Sequence, residues 1–163
     1  MTDMTDVVEE ILTAYLARWN DYDADGMIPF WDVEDDGIIY VAEEIEALHG
    51  WNALEGYFRG NDPEFSDHLI TVRDITARRI APDLIQAFWN MSWSIYFITE
   101  KLYPKPVGGD VRVTALLRKK EEGWKFFHWI EGPLAAVFQL QRALEEKVDP
   151  GLIEKLKKRG ITF

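Results

Sequence analysis

The chain has 163 residues, 47% hydrophobic and 13% aromatic, which fits one domain with a sizeable core and leaves little room for a second. Its 18 basic and 29 acidic residues give a net charge of −11, a field that repels phosphate backbones and anionic headgroups and so argues against nucleic-acid or membrane-surface binding. Having no cysteine, it has no disulfide, thiolate nucleophile or Cys-ligated metal. The acidic first ten residues lack an apolar stretch, and no apolar run approaches the roughly 18 residues of a membrane span, so the sequence reads as cytoplasmic.

The periodicity predicts a first helix from near Asp6, with Glu9 three residues on and Val8, Ile11, Leu12, Tyr15 and Trp19 forming one apolar stripe. The polar run 20–26 ends it, and a short second helix carries Met27, Ile28, Phe30 and Trp31. Asp35-Asp36-Gly37 reads as a turn, Gly37 to Ala42 as a strand, and Gly50 to Arg59 as a third helix closed by Asn61-Asp62-Pro63. His49 belongs to the turn before that helix.

From Asp67 the period changes to two. Four strands are expected over 68–80, 83–99, 111–120 and 124–131. Ala81-Pro82 and Glu121-Glu122-Gly123 are short enough to be hairpin links, so the strands should form an antiparallel meander. Gly108-Gly109 falls in the longer link. The second strand would span about 55 Å if straight, so it must bend, and a bent sheet can wrap a pocket. Pro133 suits the first turn of a last helix bearing Leu134, Val137, Phe138 and Leu144. Pro150-Gly151 is expected to break it.

The segments ILTAYLARW, DDGIIYVAEEIEALHG and EEGWKFFHW, in this order, resemble the NTF2-like superfamily and within it the SnoaL-like and ketosteroid-isomerase-like branch. The resemblance covers about residues 5–132. It implies an α+β cystatin-like cone, a curved antiparallel sheet wrapped around N-terminal helices, here with an extra C-terminal helical extension over 133–163 of a single domain. It further implies a pocket for a small hydrophobic ligand, pairing of two copies through the sheet, and no cofactor or metal. A fold hosting isomerases, dehydratases and non-catalytic partners does not decide function. Ketosteroid isomerases use a Tyr on the first helix and two Asp. Tyr15 matches the first, but Val41 and Ala115 stand at the places of the two carboxylates, so the isomerase carboxylates are absent from those positions. The resemblance thus implies a SnoaL-like small-molecule protein, either a cofactor-independent isomerase, cyclase or dehydratase acting on a hydrophobic cyclic compound, or a non-catalytic dimerisation or partner-binding module.

Candidate chemistry rests on few polar groups. Trp124, Phe126, His128 and Ile130 alternate onto one face of the last strand, where SnoaL-like proteins carry a pocket His. His128 could serve as general acid or base, or be a core histidine. Tyr15 could donate into the pocket or belong to the core. Trp19, Trp31, Tyr57, Phe58, Trp89, Trp93, Trp124 and Phe126 are candidate substrate-binding walls, and each could equally be packing. Glu43, Glu44 and Glu46 could supply a displaced base or be a solvated loop. Asp67 and His68 are adjacent on a strand, point to opposite faces and cannot address one pocket together. Asp74 reads most simply as paired on an outer face. The three His lie far apart and no HExxH-like spacing supports a metal site.

Overall fold

Asp3 starts the first helix. Its carboxylate accepts the Thr5 amide at 3.0 Å, satisfying one donor that a helix N-terminus leaves open, so α1 spans Met4–Asn20, two residues ahead of the expected start. The protein is seen in a computed structural model that describes all residues except 1–2, 44, 61–63, 65, 100–104, 134–139, 141–142 and 162–163. Spatial proximity divides the chain into Met1–Pro133 and Leu134–Phe163.

In the first unit, α2 (Ala24–Met27) is capped by Asp23 and runs into a 3-10 turn at Ile28–Phe30. Next come β1 (Ile39–Val41), a two-residue β2 (Leu48–His49) and α3 (Trp51–Arg59). The long strands follow as β3 (Ser66–Ala81), β4 (Leu84–Phe97), β5 (Val107–Lys120) and β6 (Gly123–Pro133). The sheet order is β2-β1-β6-β5-β4-β3, antiparallel except where β1 runs parallel to β6. The expected α+β architecture and meander are present in a curved, unclosed sheet.

Four expectations need correcting. His49 lies in β2, because the Gly50 amide bonds the Ile38 carbonyl and draws 48–49 alongside β1. Gly108 and Gly109 lie inside β5, paired with Ser94 and Trp93, instead of in a link. Pro133 is the last residue of β6, opposite Val111, instead of the first turn of a helix, while Leu140 and residues 143–145, with Leu144, are helical as expected. In the second unit, Pro150 and Gly151 open a helix, α4 (Pro150–Lys158), whose N-cap Asp149 accepts the Gly151 amide at 2.7 Å; proline is suited to this first turn because its missing N–H would be unpaired anyway. Leu134, Val137, Phe138 and the Asn61-Asp62-Pro63 stop lie outside the described residues.

Three bulges bend the sheet. Asp74 and Ile75 together oppose Trp89, with Asp74 in the left-handed region at φ 56°, and Ile80 and Phe127 are each one residue extra. The bend wraps the sheet around α1, which buries Val8, Leu12, Tyr15, Leu16 and Trp19 against it. The course of α1 along β3 is pinned at both ends. Thr5 Oγ1 accepts the Ala77 amide, and the Asn20 side chain both donates to the Ile70 carbonyl (3.0 Å) and accepts the Ile70 amide (2.8 Å). These bonds also occupy part of the open edge of β3. Because α1 stops at Asn20, Trp19 is its last large side chain at this end of the sheet, beside Ile70 and His68.

Candidate functional site

At that end of the sheet lies a cavity of about 570 Å³, within the range of small-molecule sites. Ile70, Met91, Ile95 and Val107 give it apolar walls, and Trp19, Tyr57, Trp93 and Phe97 contribute rings. Its polar members are Glu43, His68, Ser94 and Glu131.

Glu131 reaches the interior because of the bulge at Phe127. Leu116 pairs with His128 but Leu117 with Phe126, so the extra residue exchanges the faces of everything after it. Phe126, Trp129 and Glu131 point inward, and Glu131 is only 7% exposed. Its Oε1 accepts the Trp129 indole N–H at 2.9 Å and the Tyr40 hydroxyl at 3.4 Å. Glu131 also lies close to both positions that lack an isomerase carboxylate, since Val41 pairs with Ile130 and Ala115 with Trp129.

The Trp93 indole crosses β5 at Gly109, where a Cβ would lie 2.9 Å from Trp93 Cζ2. At Gly108 a Cβ would lie 2.7 Å from the Trp93 carbonyl oxygen. The glycine pair therefore makes room for the ring, whose N–H donates to Glu43 in the segment after β1.

His68 enters from β3. Its Nε2 lies 3.0 Å from the Trp19 carbonyl, which can only accept, so the neutral ring carries its proton on Nε2 and keeps Nδ1 as an acceptor. The Tyr22 ring packs on it at 4.4 Å between centroids, and the Tyr22 hydroxyl accepts the His68 amide and donates to the Ser66 carbonyl. Burial, opposed by the Trp19 contact, lowers its pKa and keeps the ring neutral. Below its ordinary value of about 6.5 the unfolded chain takes up a proton that the folded one resists, so stability falls there with falling pH.

Of the expected wall residues, Trp19, Tyr57 and Trp93 line the cavity. Trp31, Phe58, Trp89 and Phe126 do not; they pack into a buried aromatic cluster around Trp129. Trp89 is fully buried and its indole N–H has no hydrogen-bond partner among the described residues. Trp124 pairs with Lys119 near the opposite end of β5, where Lys119 and Arg79 approach its ring. Tyr15, expected as donor, is fully buried in the same cluster; its oxygen accepts the Trp31 indole N–H at 3.3 Å. Burial raises its pKa well above the ordinary range, so it holds its proton. His128, expected as proton carrier, pairs with Leu116 on the sheet face turned away from α1, since the Phe127 bulge moves it there; partial burial lowers its pKa. Asp74 is exposed beside Asn90 and Arg73.

Sequence reasoning missed Glu131 and set His68 aside. The strand rule does separate Asp67, which is exposed, from the inward His68; it is the histidine that reaches the cavity. Glu43 is the one acid of the 43–46 segment in the lining, and Glu44 lies outside the described residues. Among the described residues no three His, Asp or Glu side chains gather to hold a metal, and no helix is long and apolar enough to cross a membrane.

A curved sheet wrapped on an N-terminal helix, with a cavity at the open end, defines the cone-shaped NTF2-like class. Residues 8–134 match the SnoaL-like domain, and the chain belongs to that family. It is similar in fold to an NTF2-like superfamily protein of Salmonella enterica serovar Typhimurium, at 12% identity over 80% of this chain and 91% of that one, with a TM-score of 0.67. A ketosteroid isomerase-like protein of Erwinia carotovora atroseptica is similar at 17% identity over 83% and 99%, TM-score 0.63. A cystatin-like-fold protein of Caulobacter vibrioides is similar at 17% over 87% and 97%, TM-score 0.66. Comparison with curated proteins gave no match.

Proposed function

We propose that the protein binds a small hydrophobic ring compound in this cavity and acts on it as a cofactor-independent isomerase, cyclase or dehydratase, with Glu131 as the proton carrier. The observation that carries the reading is a carboxylate held by two donors at the wall of an otherwise largely apolar cavity. In such a site Glu131 would take a proton from a ligand carbon. The electron pair left behind would spread into the ligand's conjugated group, and the proton would return at a second carbon, or the pair would expel a leaving group. Similarity to a ketosteroid isomerase-like protein is consistent with this class of chemistry. Trp19 and Trp93 line the cavity, so ligand binding is expected to quench or shift indole fluorescence saturably, with a smaller change in Trp93→Phe. A panel of fused-ring ketones and alcohols that leaves the emission unchanged at millimolar concentration would remove the reading.

A second reading, a dimerising module, is favoured by the exposure of Leu69, Phe88 and Tyr96 on the sheet strands, with Phe88 flanked by Thr76 and Thr114. Two copies pairing through this face would sediment as a dimer at micromolar concentration, and Phe88→Arg would shift the mass toward the monomer. A strict monomer before substitution would contradict it.

A further inference from the structure

The charged side chains of the described cavity lining are of one sign. Among the described lining residues the two carboxylates, Glu43 and Glu131, are the only charged groups, His68 being neutral, and no Lys or Arg is present. Residues 1–133 carry 12 basic and 25 acidic side chains, a net −13, whereas 134–163 carry 6 and 4. The field around the cavity-bearing unit therefore attracts cations and raises their local concentration at the cavity mouth.

The rings add to this preference. Trp19, Tyr57, Trp93 and Phe97 line the cavity with aromatic rings, and tryptophan is the strongest platform for an organic cation. The Trp93 N–H is already donated to Glu43, so what this indole has left for a ligand is its π system, made more electron-rich by that bond. His68, with its proton directed at the Trp19 carbonyl, has an acceptor left at Nδ1. Carboxylates, ring faces and an imidazole lone pair each favour a ligand that brings positive charge or hydrogen-bond donors. An anionic ring compound would meet two carboxylates there instead.

Resting on the cavity as the ligand site, we propose that its ligand is a hydrophobic organic cation, a ring scaffold bearing a protonated amine or a quaternary ammonium group, with the charge held between Glu43 and the Trp93 face and the rings against Ile70, Met91 and Trp19.

The test compares three probes on one scaffold, (2-naphthylmethyl)trimethylammonium, 2-naphthylmethanol and 2-naphthoate, by isothermal titration of the full chain. The ammonium is expected to bind at least about tenfold tighter than the alcohol and the carboxylate weakest, with the ammonium's advantage shrinking as salt rises from low to molar concentration. In Glu43→Gln that advantage is expected to fall below about threefold. Binding of the alcohol or carboxylate as tightly as the ammonium overturns the cation assignment while leaving the cavity as a ligand site. An ammonium advantage that survives unchanged in the Glu43→Gln, Glu131→Gln double variant also overturns it, because the preference would then come from the acidic surface. Failure of all three to bind overturns both the assignment and the reading beneath it.

Discussion

Replacing Glu131 with glutamine is expected to lower turnover by about 10²–10⁴-fold on any compound the protein converts, while the thermal midpoint changes little. Glutamine keeps the volume and an oxygen acceptor for the Trp129 indole and the Tyr40 hydroxyl, so what is lost is the carboxylate that takes up the proton. Glu131→Ala is the contrasting variant. It takes this acceptor from the buried Trp129 N–H, at about 1–3 kcal/mol, and should destabilise the protein as well as silence it. Steady-state kinetics together with thermal denaturation separate the two effects. Undiminished turnover in Glu131→Gln would show that the proton is carried elsewhere.

The second large effect lies near the opposite end of β5. The Asp32 side chain is 1% exposed and held between Arg118 Nη1 at 3.0 Å and Lys120 Nζ at 2.9 Å. Arg118 also reaches Asp35 at 2.7 Å and lies over the Phe127 ring, so this cluster ties the 31–38 segment to β5 and to the bulge that aims Glu131. Breaking a buried pair costs about 3–5 kcal/mol when the remaining charge is buried. Here both cations are about one-third exposed and keep other partners, Asp35 and Glu34, so Asp32→Asn is expected to cost less, about 2–3 kcal/mol. For a chain of this length that lowers the midpoint by roughly 4–12 °C, with m-values unchanged in denaturant titration. A loss under about 0.5 kcal/mol would mean that the cluster does not hold the segment. Asp35 adds a pH signature. The Gly37 amide, then Arg118 and Lys120, hold its pKa below the usual value against a smaller effect of burial. Its contribution is therefore present above the ordinary carboxylate pKa near 4 and is lost as pH falls through the lowered value.

The fold was legible because its long elements obey simple periods. The Val8-Leu12-Tyr15-Trp19 stripe gives α1, and the alternation of Ile85, Ala87, Trp89, Met91 and Trp93 gives the inner face of β4; the structure buries all of these except Trp93, which is half-buried at the cavity. β2 escaped notice because two residues carry no periodic signal and are paired by tertiary contact with β1. The site was less legible for one physical reason. Alternation read from Trp124 to Ile130 assigns His128 inward, but Phe127 bulges opposite Leu116 and Leu117 and reverses the faces, placing Glu131 inside and His128 outside. A lone acid two residues after a tryptophan, in a strand otherwise rich in aromatics, is the one local hint of a buried, indole-bonded carboxylate. The Gly108-Gly109 pair carried a second hint, since two glycines inside a strand mark close approach by another group, here the Trp93 backbone and ring.

The most direct test fills the cavity without touching its charged groups. Val107 lines it near the start of β5 and is half-buried, so Val107→Trp should fill space there at little cost to the core. Isothermal titration of the wild-type and Val107→Trp proteins with the naphthyl probe that binds tightest should show at least about a tenfold loss of affinity in the variant with an unchanged thermal midpoint. Equal affinity in a folded Val107→Trp protein would place the ligand outside this cavity and contradict the account.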